Sequence, residues 1–286
     1  IDEFATKGQF VGAMNSKSIW ECWNYNKYGF GDRYASGLLF WYHQCPVPQV
    51  AGRMWDYTLE PTASLYHTQN ALEPLHPQFD YLKNTVSVYN DYYQSFKRYK
   101  VLAEVYDIKS RKVWQKSAVV DIPEDGVVND VFKIDFPEEL SQVHFIKLRL
   151  LDDKGKQVGS NFYWRSRDKY EGAKTLTGPA TSGFESIDQL PEVKLSAKYK
   201  TRTENGSYFI DVELKNASRN IAFFTQIQFL GADNKPVRPS FYTDNFFSLL
   251  PGESYKITID TSINKISENS LVIKGWNIKE QRFKLK

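Results

Sequence analysis

From Thr85 onwards the chain runs in short alternating segments, and this alternation constrains the fold more than any other feature. TVSVYND, RYKVLAEVYDI, KVWQKSAVVDI, DVFKIDF, HFIKLRLLD and VGSNFYWRS set apolar against polar residues and are rich in Val, Ile, Tyr and Phe. A period of two places one side of a strand in a core and the other in water, and Asp125-Gly126 and Asp153-Lys154-Gly155 supply turns between runs. The spacing predicts an antiparallel β-sandwich of the immunoglobulin type over 85–168. Residues 169–190 hold glycines and prolines without a sustained period and read as a linker. A second set, VKLSAKYKT, SYFIDVELKN, AFFTQIQFL, YKITIDTS and SLVIKGWNI, is interrupted by LLPGES and predicts a second immunoglobulin-like sandwich over 191–286. The two sets share strand spacing but no register of identical residues, so they read as tandem domains and not as a sequence repeat.

Residues 1–84 follow another pattern. Phe4, Phe10, Val11, Met14, Ile19, Trp20 and Trp23 recur at helical intervals, predicting a helix within 1–36 that breaks at the glycines of NKYGFGDRYASG. Gly37 to Tyr42 is a short unbroken apolar run, the pattern of a strand buried on both faces of a parallel sheet. After the loop Cys45 to Pro61, the stretch Thr62 to Leu72 reads as a second helix with Thr62 as its N-cap. One strand between two helices does not make a domain; it matches the last helix, strand, loop and helix of a TIM-type α/β barrel. The expected fold is mainly β: two tandem sandwiches preceded by the C-terminal remnant of a barrel.

Charge narrows the function. Lys and Arg number 37 against 34 Asp and Glu, giving +3 with no block of like charge, which disfavours nucleic acid. No apolar run approaches the roughly 20 residues that span a bilayer. Cys22 and Cys45 do not amount to a disulfide scaffold; pairing is open, and free buried thiols are the expectation. The opening IDEFATKGQF lacks both an initiator Met and a signal pattern, so the chain is expected to be a piece of a longer protein with any signal upstream.

Most glycosidases need two carboxylates facing the sugar. The acids of the first 84 residues are Asp2, Glu3, Glu21, Asp32, Asp56, Glu60 and Glu73. Glu21 and Asp2, in helical context, read as solvated. Asp56 stands between Trp55 and Tyr57 in a loop after the expected strand, where barrels place their chemistry; it either faces a ligand or holds the loop by bonding backbone amides. His43, His67 and His76 are spaced too unevenly for a metal site, and each alone reads as a packed or surface histidine. No Gly-rich phosphate loop or nucleophile elbow occurs, so no cofactor is expected. Asn205-Gly206-Ser207 and Asn216-Ala217-Ser218 match the glycosylation triplet but receive no role. Tyr92, Tyr93, Tyr99, Tyr106 and Trp114 furnish either a sugar-stacking platform or, the favoured reading, sandwich core and cross-strand pairs.

Two stretches carry a family likeness. Trp41, Pro46, Trp55-Asp56-Tyr57 and Glu73-Pro74-Leu75-His76 resemble the end of the catalytic barrel in the glycoside hydrolase family 2 group of exo-β-D-glucosaminidases, β-mannosidases and plant-type endo-β-mannosidases. Ala222-Phe223-Phe224, Tyr242-Thr243-Asp244-Asn245, Leu250-Pro251-Gly252-Glu253 and Gly275-Trp276-Asn277 are similar to the immunoglobulin-like last domain of exo-β-glucosaminidases. The resemblance covers nearly the whole chain. It implies a retaining hydrolase with two catalytic glutamates at the ends of the fourth and seventh barrel strands. Both would lie upstream, and the Asn-Glu dipeptide that carries the acid/base in that group is absent here.

By the same resemblance Trp41 floors the sugar subsite beside the scissile bond, with Trp55, His43 and Asp56 as further substrate-facing groups. Members of the group often carry a second Trp in the proline loop, where this chain has Val47. The expected partner is a carbohydrate substrate held by the complete barrel, and the parent is expected to be secreted or periplasmic. A rival expectation is a carbohydrate-binding or adhesive module built from the sandwiches.

Overall fold

The structure is a computed structural model and describes residues 2–27, 37–41, 43–48, 53–167, 183–261 and 269–285. The chain divides into two compact units, Ile1–Ile187 and Asp188–Lys286.

The first unit opens with α1 (Asp2–Asn26) and α2 (Ala63–Ala71), followed by β1 (Leu75–Asp80), β2 (Thr85–Asn90), β3 (Phe96–Asp107), β4 (Lys112–Ile122), β5 (Gly126–Lys133), β6 (Val143–Leu151) and β7 (Gln157–Ser166). These strands form two antiparallel sheets, ordered β1-β2-β5 and β4-β3-β6-β7. Their inner faces meet in one core: Val86 and Val88 of β2, Val101, Ala103 and Val105 of β3, and Ile146, Leu148 and Leu150 of β6 are all inaccessible to solvent. Alternation along β3 and β6 is what buries every second side chain. Tyr99 and Trp114 pack against this core, as the favoured reading of those aromatics expects. At the β6–β7 turn, Asp152 accepts from the amides of Lys154 and Lys156 at 2.9 and 2.8 Å, and Gly155 takes the left-handed conformation that closes it.

The sandwich takes β1 as its first strand, ahead of the boundary at 85 that the alternation suggests. LHPQFD hides this role because of Pro77. In a sheet ordered β1-β2-β5, however, β1 is an edge, where the missing N–H of proline costs no ladder bond.

α1 ends at Asn26, and Tyr28 to Ser36 lie outside the described residues, as does most of the expected linker. Its buried stripe runs through Phe10, Ala13, Lys17, Glu21 and Asn24, while Phe4 and Ile19 face outward. Glu21 is therefore not a solvated face residue; it is 4% exposed, its carboxylate taken up by hydrogen bonds from β1 and β7. α2 begins where expected, with Thr62 in extended conformation, but the Thr62 hydroxyl turns back to the carbonyl oxygens of Arg53 and Met54. The amide of Ala63 instead donates to Gln9 Oε1 of α1 at 2.7 Å. At the other end, Asn24 Nδ2 of α1 donates to the Ala71 carbonyl at 3.1 Å.

Gly37 to Trp41 differ most from expectation. They form no strand, and Leu39 is fully exposed. A strand buried on both faces draws its hydrogen bonds from neighbours on each side, and among the described residues no strand flanks this run. Tyr42 lies outside the described residues. Cys22 and Cys45 are both free; Cys45 is buried as expected, whereas Cys22 is exposed.

The second unit carries β8 (Ser196–Glu204), β9 (Ser207–Lys215), β10 (Ala222–Leu230), β11 (Ser240–Tyr242), β12 (Phe247–Leu249), β13 (Ser254–Thr261), β14 (Ser270–Lys274) and β15 (Gln281–Lys284). They form sheets ordered β12-β10-β14-β15 and β11-β13-β9-β8, with Ile210, Val212, Leu214, Ile257 and Ile259 buried in one and Ile227, Phe229, Leu271 and Ile273 in the other. This is again an immunoglobulin-like sandwich.

The residues that carry the family likeness here are clasps. Asn277 accepts from the Phe223 amide at 2.9 Å and donates to the carbonyls of Pro191 and Ile221, both at 2.8 Å. A Cβ on Gly275 would lie 2.9 Å from the Phe223 carbonyl oxygen, so only glycine lets the two segments meet. Asn245 bonds both the amide and the carbonyl of Ile227, at 2.8 and 2.9 Å.

Candidate functional site

The four residues expected to face a sugar, Trp41, His43, Trp55 and Asp56, lie on one loop system of the first unit. Its described parts are joined by backbone bonds. The His43 carbonyl accepts from the amides of Met54 and Trp55 at 3.1 and 3.3 Å, and the Cys45 amide donates to the Trp55 carbonyl at 3.1 Å. Trp55 thereby bridges Gln44 on one side and Pro61 on the other. The His43 and Trp55 rings stand 6.5 Å apart, tilted by 41°. Arg53 Nη1 donates to the Trp41 carbonyl at 3.3 Å, fastening the start of the loop to its far side.

Trp41 is 79% exposed and His43 is exposed, while Trp55 and Asp56 are half-buried. An indole so exposed offers an apolar face to a ligand. Behind it, Phe40 stacks on Trp20 of α1 at 5.6 Å and 25°. Trp20 meets Trp23 edge-on at 6.2 Å, and Trp23 meets Tyr89 of β2 at 6.5 Å. An aromatic series thus runs from the loop to the first sandwich.

Asp56 uses one oxygen structurally. Oδ1 accepts from the Thr58 amide and hydroxyl, both at 2.7 Å, and from the Glu60 amide at 2.9 Å. These bonds hold a turn in which Leu59 adopts a left-handed conformation. Of the two roles read from the sequence, holding the loop is the one the geometry displays.

A second constellation left only a faint trace in the sequence. Glu21 Oε1 accepts from Tyr163 Oη and Asn161 Nδ2, both at 2.8 Å, and lies 2.9 Å from His76 Nε2. Lys17 reaches Asn161 Oδ1 and the Phe162 carbonyl, and its ammonium sits 3.9 Å from the centre of the Tyr163 ring. Burial works against the charged carboxylate, but Lys17 and His76 outweigh it and hold the Glu21 carboxyl below its ordinary range. His76 is inaccessible, and His67 packs edge-on against Trp164 at 5.5 Å, so both are packed histidines. This cluster joins α1 to β1 and β7 and is sealed from solvent; it organises the unit and has no access to a substrate. Its one sequence cue is weak: Lys17 and Glu21 stand at i, i+4, opposite charges one helical turn apart.

Comparison with known proteins matches both sandwiches. Residues 83–170 match the mannosidase Ig/CBM-like domain and residues 175–278 the exo-β-D-glucosaminidase Ig-fold domain. An exo-β-D-glucosaminidase of Streptomyces avermitilis is 25% identical across 98% of this chain, which covers 32% of that relative. A mannosylglycoprotein endo-β-mannosidase of Lilium longiflorum is 21% identical across 99% of the chain, covering 34% of its length. The crystal structure of an exo-chitosanase of Amycolatopsis orientalis superposes with a TM-score of 0.87 at 22% identity, over 99% of this chain and 35% of that one, a likeness of fold.

The two sandwiches are thus immunoglobulin-like domains of the kind carried by β-glycosidases. Along nearly its whole length the chain is similar to exo-β-D-glucosaminidases and to an endo-β-mannosidase, and each sandwich matches an immunoglobulin-like domain model named for such enzymes. It spans about a third of the length of the curated relatives it matches.

Proposed function

We propose that the chain is part of a retaining glycoside hydrolase that cleaves a terminal β-linked mannoside or glucosaminide. In this reading Trp41 is the platform on which the sugar ring stacks, Trp55 and His43 complete one wall of the site, and Asp56 sets the shape of the loop between them. The catalytic glutamates lie on preceding parts of the parent, which is secreted or periplasmic, and the two sandwiches serve as accessory domains. The observation that supports this is an exposed indole, Trp41, at the start of a loop pinned by the backbone of His43, Cys45 and Trp55.

An assay of the 286-residue chain against aryl β-glucosaminides and aryl β-mannosides, beside a tag-only control, tests the missing catalytic pair. Rates equal to the control are expected. Turnover that vanishes on substituting an acid within these residues would overturn the reading.

A second reading, attachment to polysaccharide through the sandwiches, is favoured by one observation: Tyr92 and Tyr93, 46% and 88% exposed, stand side by side in the loop after β2.

A further inference from the structure

A cavity of about 350 Å³ opens where Glu73 and Pro74 lead into β1, between the start of β7 and the loop after β2. Its size falls within the roughly 300–1,000 Å³ of small-molecule sites. Two features of the backbone shape its wall. A Cβ at Gly159 would lie 3.2 Å from the Leu75 carbonyl oxygen and 3.3 Å from Pro77 Cδ, so β7 lies close against β1 here with little room for a side chain. The β6–β7 register also shifts between Leu150 and Leu151, leaving Val158 in a bulge at the start of β7, in the cavity wall.

Tyr92 is held in place on the opposite side. Its amide donates to Asn90 Oδ1 at 3.0 Å, and its carbonyl accepts from the Asp125 amide at 2.9 Å. Asn90 is itself inaccessible and bonds the carbonyls of Gln94 and Pro123. The half-exposed Tyr92 ring is therefore presented by a fixed loop.

Glu73, Gln157 and Ser160 also line the cavity, and among the described residues the side chains of these three make no hydrogen bond to the rest of the chain, nor does the Tyr92 hydroxyl. These groups face solvent and are left open to a polar ligand. Although Glu73 as a residue is exposed, its carboxyl is desolvated enough that burial raises its pKa, against the weaker pull of His76 and Lys17. A carboxylate in that condition gains from a cation supplied by a ligand.

We propose that this cavity binds a protonated amino sugar residue, its ammonium on Glu73, its ring face on Tyr92 and its hydroxyls towards Gln157. An aromatic face beside a carboxylate is suited to an ammonium-bearing ring. The choice of an amino sugar rests on the glucosaminide branch of the function proposed above, but the cavity needs no catalytic pair and lies on different residues from the Trp41 loop.

The test titrates the 286-residue chain, by calorimetry, with tetramers of glucosamine, N-acetylglucosamine and mannose at a pH where the free amine is protonated. Hydrogen exchange then locates the site. Saturable binding of the glucosamine tetramer is expected, with protection at 73–75, 92 and 157–160. Glu73→Gln should weaken it about tenfold or more, the loss of one charge-assisted bond. Tyr92→Ala should abolish binding while Tyr92→Phe retains it, both with native circular dichroism. The N-acetylated and manno tetramers should bind the wild type about as weakly as Glu73→Gln binds the glucosamine tetramer.

No binding of the glucosamine tetramer overturns the proposal, as does equal affinity for its N-acetylated form. Protection confined to 41–57 also overturns it, while leaving the Trp41 wall standing.

Discussion

His76 Nε2 lies 2.9 Å from Glu21 Oε1, and through that contact the first helix is tied into the first sandwich. Tyr163 and Asn161 of β7 converge on the same oxygen, so three segments distant in sequence meet at one carboxylate. Replacing Glu21 by Ala strands Lys17 and His76 in a sealed interior. Removing one partner from a buried charged network costs about 3–5 kcal/mol, and urea unfolding should show a loss of that order. Glu21→Gln, which keeps an acceptor, should lose less.

Stability should fall with acid in two stages. His144 is buried beside the Phe136 ring at 5.0 Å, and burial, with Arg165 nearby, depresses its pKa from 6.5 to about 4. The folded state keeps it neutral while the unfolded state protonates it, so its contribution is intact above pH 6.5 and lost as pH falls towards 4. The loss amounts to roughly 3 kcal/mol at most. The Glu21 carboxyl, also depressed, contributes fully above its ordinary value of 4.5 and fails only below that. Urea midpoints measured from pH 7 to 5 should drop for the wild type and stay nearly level for His144→Leu.

Asp56→Ala should free the loop without unfolding the unit. It removes the acceptor of the Thr58 and Glu60 amides. Hydrogen exchange at those two amides should accelerate about tenfold or more, as expected for the loss of bonds to a charged acceptor. Exchange in the middle of β3 and β6 should not change.

The two glycosylation triplets should behave oppositely. Asn216 is inaccessible, and its Nδ2 donates to the carbonyls of Asn220 and Leu249 at 2.8 and 2.9 Å, so no acceptor nitrogen is available. Asn205 is exposed at the tip of the β8–β9 hairpin, with Asn205 and Gly206 both left-handed. Secretion from a glycosylating host, followed by peptide mass spectrometry, should find Asn216 always unmodified and any glycan at Asn205. A glycan on Asn216 in folded protein would refute this assignment.

The sandwiches were legible because β3, β6, β9 and β10 carry their alternation over most of their length, and a period of two fits a half-buried strand and little else. β1 was not, since Pro77 and Gln78 break the pattern at positions whose burial depends on neighbours far along the chain. Trp41 was singled out by family resemblance and not by any pattern of its own, and the duty of Asp56 depended on which amides folded around it. Least legible was the stripe of Lys17, Glu21 and Asn24. Hydrophobic periodicity looks for apolar residues and passes over a helix face that is buried through its polar groups. Asn205-Gly206, read first as part of an acceptor triplet, is the turn of a hairpin.

The Gln9 contact with the Ala63 amide has a consequence for the order of assembly. A helix of nine residues lies below the length at which helices persist alone in water, and the side chain of the threonine in front of α2 caps none of its first amides, leaving that of Ala63 to Gln9. The second helix is thus a conditional element: it can be completed only after the first has been laid down and has turned that glutamine towards it.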